Sequence, residues 1–434
     1  MSYPFGQARL MPVAVLTAAV QEPKGREKFE TDPIEAAMEA TMDWIGLAKR
    51  QRVGLQLSAA LARPDSYTPA EAMIDPVGAH LAVRTPRTGK GENLSDTNAK
   101  AIIDACSNEV RIFDLGCFEN LLHPDETIRN QVHAHMLRCA RAAKLLAPVG
   151  CAGVTGFIGA DPTKDLDQNV GLFNKYVIKL LRAFKEIGVK LFVEQCPMPG
   201  WNTTDNFINN IAYCAGMWIK LGRIAEEYGV REVLEITYDE SHDILMGNTH
   251  HGSFAAMAAA GMGGMISRFH GKNQYRNSAK VATWTGRGQM IDLDCRIDGQ
   301  PHPDPSKQSG AWGVMPCQHG MVGIGHYNPL AMLMGQEADW LDHQIAARSI
   351  LGLDPQKSVF VLEHEWPPAR VQDLVLVEEM IGISADFFRG IDAAADALYR
   401  GATWCGTRKL PVPGSYNPAY HIPGLLDEVR KIKP

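Results

Sequence analysis

Glu194, Asp239, His270 and Glu363 each stand at the end of a separate apolar run: "LFVEQC", "LEITYDESH", "MISRFHGKN" and "VFVLEHEW". Three carboxylates and one imidazole make an oxygen-rich donor set for one divalent cation. Mn²⁺, Mg²⁺ or Co²⁺ suits it better than a thiolate zinc site would, and Zn²⁺ remains a possible occupant. Positions left open on such an ion suit the vicinal oxygens of a hydroxy-ketone. The ion would then act as a Lewis acid on the enediolate formed when a proton leaves the carbon beside the carbonyl. A single glutamate at a strand end is more often a salt-bridge partner, and a single histidine more often a hydrogen-bonded core ring. The set gains its meaning from four such groups in order. His242 lies three residues after Asp239, in the loop expected past the strand, within reach of a bound substrate oxygen. Lys272 lies two residues after His270, and both are candidates for catalysis and substrate contact. Trp201 and Trp312 are further candidates for substrate contact.

The elements that must position these residues alternate along the chain. Strands are expected over 11–18, 53–60, 110–118, 151–159, 189–195, 232–238, 264–270 and 358–364. Helices are expected over 33–50, 99–108, 125–146, 172–188, 206–229, 253–261, 329–352 and 371–399. Asp96 or Thr97 is the expected cap of the second helix, and Gly188 and Gly229 read as helix stops. Eight strand–helix units close either into a (β/α)8 barrel or into an open sheet. Only the barrel brings four strand ends to one mouth, and no Gly-rich phosphate loop follows the first strand. The fold class is therefore α/β, a single (β/α)8 TIM barrel over 1–434. It carries an insertion of about 274–328 after strand seven and a Pro-rich tail over 401–434. The insertion begins at the expected metal mouth and carries Trp284, Trp312, His319 and His326, so it reads as a lid or substrate wall. His250 and His251 fall in the "THHG" segment after strand six, as pocket lining or as a solvated turn.

Composition narrows the classes. At 434 residues, 45% hydrophobic and 21% charged, the chain can bury a large core. A net charge of −6 without a basic cluster argues against nucleic acid. No apolar run approaches the ~18 residues of a membrane span, and "LMPVAVLTAAV" reads as the first strand rather than a signal peptide. The nine cysteines form no C-x-x-C pair. They read as free thiols in a reducing, cytoplasmic setting.

The motifs "YDESH", "FHGKN" and "LEHEW", with "VEQCP" before them, resemble the last strand-end motifs of the sugar-phosphate isomerase/epimerase superfamily, the xylose-isomerase-like barrels. The resemblance covers roughly residues 180–390. It implies a divalent cation, often Mn²⁺, at Glu194, Asp239, His270 and Glu363. In the ketose 3-epimerases of that group two metal-bound glutamates exchange the proton on opposite faces; here those match Glu194 and Glu363, and His242 matches a substrate-contacting histidine. The chain departs from the pattern at Asn273 and Trp366, where the group has carboxylates, and Glu365 shares the strand parity of Glu363. The activity implied is a sugar isomerase or epimerase working through a metal-stabilised enediolate. The alternative is a lyase of the same group, a dehydratase or 3-keto-glycoside-cleaving enzyme, sometimes with a second subunit. The partners expected are a small sugar or glycoside and a further copy of this chain, with no nucleic acid and no membrane. The three-zinc endonuclease branch needs histidines on early strands, and "VGLQLSAA" and "VRIFDLG" have none.

Overall fold

The structure, a computed structural model, describes residues 10–17, 33–59, 93–161, 163–195, 210–245, 248–271, 283–284, 290–291, 336–363 and 374–404. Eight parallel strands close a barrel: β1 (Val13–Leu16), β2 (Gly54–Ser58), β3 (Ile112–Gly116), β4 (Gly153–Gly156), β5 (Lys190–Glu194), β6 (Leu234–Asp239), β7 (Ile266–Gly271) and, after a separate antiparallel pair β8 (Thr283–Trp284) and β9 (Met290–Ile291), β10 (Val359–Leu362). Around the barrel the order is β1-β10-β7-β6-β5-β4-β3-β2. Sequential strands are neighbours, as right-handed crossovers through helices require.

The helices are α1 (Pro33–Gln51), α2 (Asp96–Cys106), α3 (Glu126–Leu145), α4 (Leu166–Leu172), α5 (Ile178–Ile187), α6 (Ala215–Glu227), α7 (Glu240–Leu245), α8 (His250–Ala259), α9 (Gln336–Ile350) and α10 (Leu374–Trp404). Local chemistry sets several boundaries. Ser95, not Asp96 or Thr97, caps α2, its side chain accepting from the Asn98 amide at 3.1 Å. Asp125 caps α3, and Asp165 with Gln168 forms a capping box on α4. The chain continues from α4 through a π-helical turn, Phe173–Val177, into α5, which Gly188 ends at φ 81°. The helix expected from residue 206 begins only at Ala215. Asn210 is instead committed to tertiary bonds: its amide donates to the Glu194 carbonyl at 2.6 Å, and its side-chain oxygen accepts from Gly159 N at 3.2 Å. His242 lies in α7 rather than in a loop, and His250 and His251 open α8 rather than forming a turn.

Alternate strand residues face the helices and alternate ones the barrel interior. The larger core lies under the helices and includes Leu55, Leu115, Leu191, Tyr238, Phe269 and Phe360. A smaller core gathers Ala14, Leu16, Phe113, Val359 and Val361. The expected insertion lies outside the described residues except for β8 and β9, and the tail lies outside them beyond Trp404. Among the described residues no helix is long and apolar enough to cross a membrane. Cys106, Cys117, Cys139, Cys151 and Cys214 are free thiols.

Candidate metal centre

Four neighbouring strands, β5, β6, β7 and β10, end on one side of the mouth. Glu194 is the last residue of β5 and Asp239 the last of β6; His270 is next to last on β7, and Glu363 follows β10 directly. The register sets Asp239 beside His270 and His270 beside Val361. The four side chains are buried, and one potential ligand atom from each lies within 4.8 Å of the others. His270 Nδ1 is 3.1 Å from Glu194 Oε2 and 3.3 Å from Glu363 Oε2. Glu194 Oε2 and His270 Nδ1 nevertheless make no hydrogen bond, although both atoms are buried. Buried polar atoms without such bonds are costly unless something else satisfies them.

The tautomer of His270 follows from its far side. Nε2 is 3.1 Å from Gln56 Oε1. Gln56 donates through its own Nε2 to Asp114, which fixes the amide orientation and leaves Oε1 as an acceptor. His270 therefore carries a proton on Nε2, and its Nδ1 faces the carboxylates. A histidine ligand is usually oriented in this way by the group behind it. Asp114 is held in turn by Thr155 Oγ1 at 2.8 Å and Arg268 Nε at 2.8 Å. The Arg268 guanidinium lies over the Phe192 ring at 4.1 Å. Gln56, Asp114 and Arg268 escape a reading that looks for acids and imidazoles at strand ends. Their signal is a long or charged side chain inside a largely apolar strand; Arg268 also shares the parity of His270.

Asp239 has two tasks. Its Oδ1 accepts from the His242 amide at 3.3 Å, capping α7, while Oδ2 lies 3.5 Å from His242 Nδ1. The side chain of Gln195 clamps the Asp239 backbone, donating to its carbonyl at 2.8 Å and accepting from its amide at 3.3 Å. His242 Nδ1 donates to the Gln195 carbonyl and lies 3.5 Å from Glu194 Oε1. A carbonyl partner fixes the proton on Nδ1, so the Nε2 edge of the ring carries the lone pair.

Charge is concentrated in this group. Burial pushes the Glu194 carboxyl up to about 7, against the pull of His270 and with help from Glu363 and Asp239. Burial disfavours the His270 imidazolium, yet Glu194 and Glu363 outweigh it and hold that pKa well above its ordinary value. A cation among them would replace the Nδ1 proton and favour carboxylates with a neutral imidazole, whose remaining proton on Nε2 is already held by Gln56. The donor set thus fits one divalent ion. Lys272, Trp201, Trp312 and Glu365 lie outside the described residues, so the structure brings together Glu194, Asp239, His242, His270 and Glu363 of the residues expected at the site.

No protein-family model matches the chain, and no curated protein matches it. Solved structures do. The chain aligns with a putative xylose isomerase from Rhodospirillum rubrum at a TM-score of 0.50 and 13% identity, over 88% of this chain and 99% of that one. The shared fold is the closed eight-stranded parallel barrel. Two further neighbours are an L-ribulose 3-epimerase and a D-psicose 3-epimerase. The first aligns at a TM-score of 0.49 and 10% identity, over 94% of this chain and 100% of that one. The second, from Clostridium cellulolyticum and solved with D-tagatose, aligns at 0.46 and 13%, over 90% and 99%. At such identities the likeness is one of fold.

Proposed function

We propose that this chain is a divalent-metal-dependent isomerase or epimerase of a sugar or sugar derivative. Its reaction removes a proton from the carbon beside a carbonyl. The observation that carries this reading is the convergence of Glu194, Asp239, His270 and Glu363 at adjoining strand ends, with buried Glu194 Oε2 and His270 Nδ1 facing each other without a hydrogen bond. The proposed ligands are those four residues, and Mn²⁺ is the preferred ion, with Mg²⁺, Co²⁺ and Zn²⁺ as substitutes. When bound, the ion supplies Lewis-acid stabilisation of the charge that develops on the substrate oxygens.

The remaining work falls to the side chains. Glu194 and Glu363 come from the outer two of the four adjoining strands, with β6 and β7 between them. A substrate carbon seated between these carboxylates presents one face to each, so one can take a proton and the other return it. His242, held through Nδ1 by the Gln195 carbonyl, directs Nε2 chemistry at a substrate hydroxyl. Lys272, two residues beyond His270, is proposed as a further polar contact, with Trp201 and Trp312 as sugar-stacking surfaces.

The test is solvent exchange. Metal-loaded protein is incubated with keto-sugars and keto-glycosides in D₂O, and deuterium at the carbon beside the carbonyl is followed by NMR. Deuterium incorporation with an epimer or isomer as product supports the proposal. Deuterium incorporation with loss of a β-substituent assigns the lyase outcome instead. An absence of both across the panel, from protein that holds metal, counts against proton abstraction here.

A further inference from the structure

A second cluster of side chains with metal-ligating chemistry lies between α8 and α9. His250 and His251 open α8, and Asp342 projects from α9. His250 Nε2 and His251 Nε2 each lie 3.2 Å from the same oxygen, Asp342 Oδ2. The two rings are adjacent, with centroids 4.2 Å apart and a tilt of 34°. The three side chains are only partly exposed, at 12%, 19% and 23%, so the group is sheltered yet open to an entering ion. His251 Nε2 and Asp342 Oδ1 are buried atoms with no hydrogen bond. One ligand atom from each residue lies within 4.8 Å of the others.

His250 is also oriented from behind: its Nδ1 donates to Glu240 Oε1 at 3.1 Å, while Nε2 donates to Asp342 Oδ2 at 3.2 Å, a proton that an entering ion would displace. A carboxylate behind a histidine in this way fixes ring and tautomer at metal sites and strengthens the ring as a ligand. The group of Cys117, His135 and Cys139 differs: the Nε2 proton of His135 is held by the Ala59 carbonyl, which is not one of its three candidate ligands, whereas that of His250 is held by Asp342, which is.

We propose that His250, His251 and Asp342 form a second metal site, separate from the barrel centre, which takes a borderline transition ion such as Zn²⁺ or Co²⁺. Two imidazoles and one carboxylate match the preference of these ions and do not suit Mg²⁺ or Ca²⁺. The ion would tie α8 to α9, with water completing its shell. Glu240, the orienting residue, directly follows Asp239, so this clamp and the barrel centre share one short stretch of backbone.

The test is zinc stoichiometry. The full chain is stripped with chelator, dialysed against Zn²⁺ and counted by plasma mass spectrometry. Asp342→Asn and His251→Gln are each expected to hold one equivalent fewer than the parent. Glu194→Gln provides the contrast: it alters the barrel centre and is expected to keep the equivalent that Asp342→Asn loses, so the two sites can fail independently. Crystals of the unmodified protein grown with Zn²⁺ should show an anomalous peak bridging His250, His251 and Asp342. The absence of that peak, or a full parental complement in either variant, overturns the second site.

Discussion

Glu194 holds a carboxylate with almost no solvent, between two histidines and beside two other acids. The neutral amide in Glu194→Gln keeps the volume but removes a ligand charge and a proton carrier. Turnover should fall by about 10²–10⁴-fold, and the same holds for Glu363→Gln; near-normal rates in either would contradict the shared role. His242→Ala should separate the functions, lowering turnover by about 10²-fold while metal content by mass spectrometry stays at the parental level. Loss of metal in that variant would place His242 among the ligands. Gln56 acts at one remove. Gln56→Met removes the acceptor that fixes the His270 proton, so a competition titration should show metal affinity about 10–100-fold weaker. An unchanged affinity would mean that the strand alone orients the ring. The convergence of Glu194, Asp239, His270 and Glu363 is legible in the sequence because each closes an apolar run. Gln56 is not, because it stands 214 residues from the ring it supports and its partner is set only by barrel closure.

Elements matter where backbones meet. Gly271 follows His270 on β7, and a Cβ there would lie 1.8 Å from Phe360 Cζ on β10. Phe360 cannot retreat easily, since it stacks on Phe388 of α10 at 3.5 Å and meets Trp340 of α9 edge-on. Gly271→Ala should therefore cost about 1–3 kcal/mol by denaturant unfolding. It should also weaken metal binding, because β7 and β10 carry two of the four groups; an unchanged unfolding midpoint would show that the strands part freely. On α9, His343 is ringed by Tyr238, Phe254, Phe269 and Trp340. Its Nδ1 accepts from Gln344 Nε2 at 3.1 Å, which suits a neutral ring. Burial drives its pKa down from 6.5 to about 4. The folded state then binds fewer protons than the unfolded state between those values. The contribution is present above pH 6.5 and is lost as pH falls toward 4, amounting to about 3 kcal/mol across the window. With chelator present, His343→Phe should flatten the stability profile from pH 6.5 to 4, and an equally steep fall would assign the acid sensitivity elsewhere. The strand–helix rhythm is legible because apolar runs and caps are local. The late start of α6 is not: "NFINNIAYCAGMW" has a helical pattern, and its described part is held in tertiary bonds instead, Asn210 to Glu194 and Gly159 and the Ile211 amide to the Gly159 carbonyl.

At the scale of the whole molecule, the barrel encloses charge as well as apolar surface. Ala14, Leu16, Val359 and Val361 pack a small apolar core, whereas Gln56, Asp114, Thr155 and Arg268 join in a buried polar chain beneath the candidate metal centre. Three buried carboxylates in that setting cost folding free energy unless the His270 imidazolium, further protons or a cation compensate. A divalent ion should therefore raise stability. At a free concentration about 100-fold above its Kd, the gain is about 2.7 kcal/mol. Chelator-stripped protein should melt a few degrees below the Mn²⁺-loaded form at pH 8, where Glu194 with its pKa near 7 is mostly ionised. The gap should narrow at pH 6, because protons then do part of the compensating. Glu194→Gln isolates this centre from any ion between α8 and α9. Removing one buried charge should shrink its apo–holo difference below that of the parent. Equal shifts in the two proteins would mean that the stabilising ion sits elsewhere, whereas a smaller shift in Glu194→Gln ties the folding of the barrel to the same carboxylate that is proposed to move the proton.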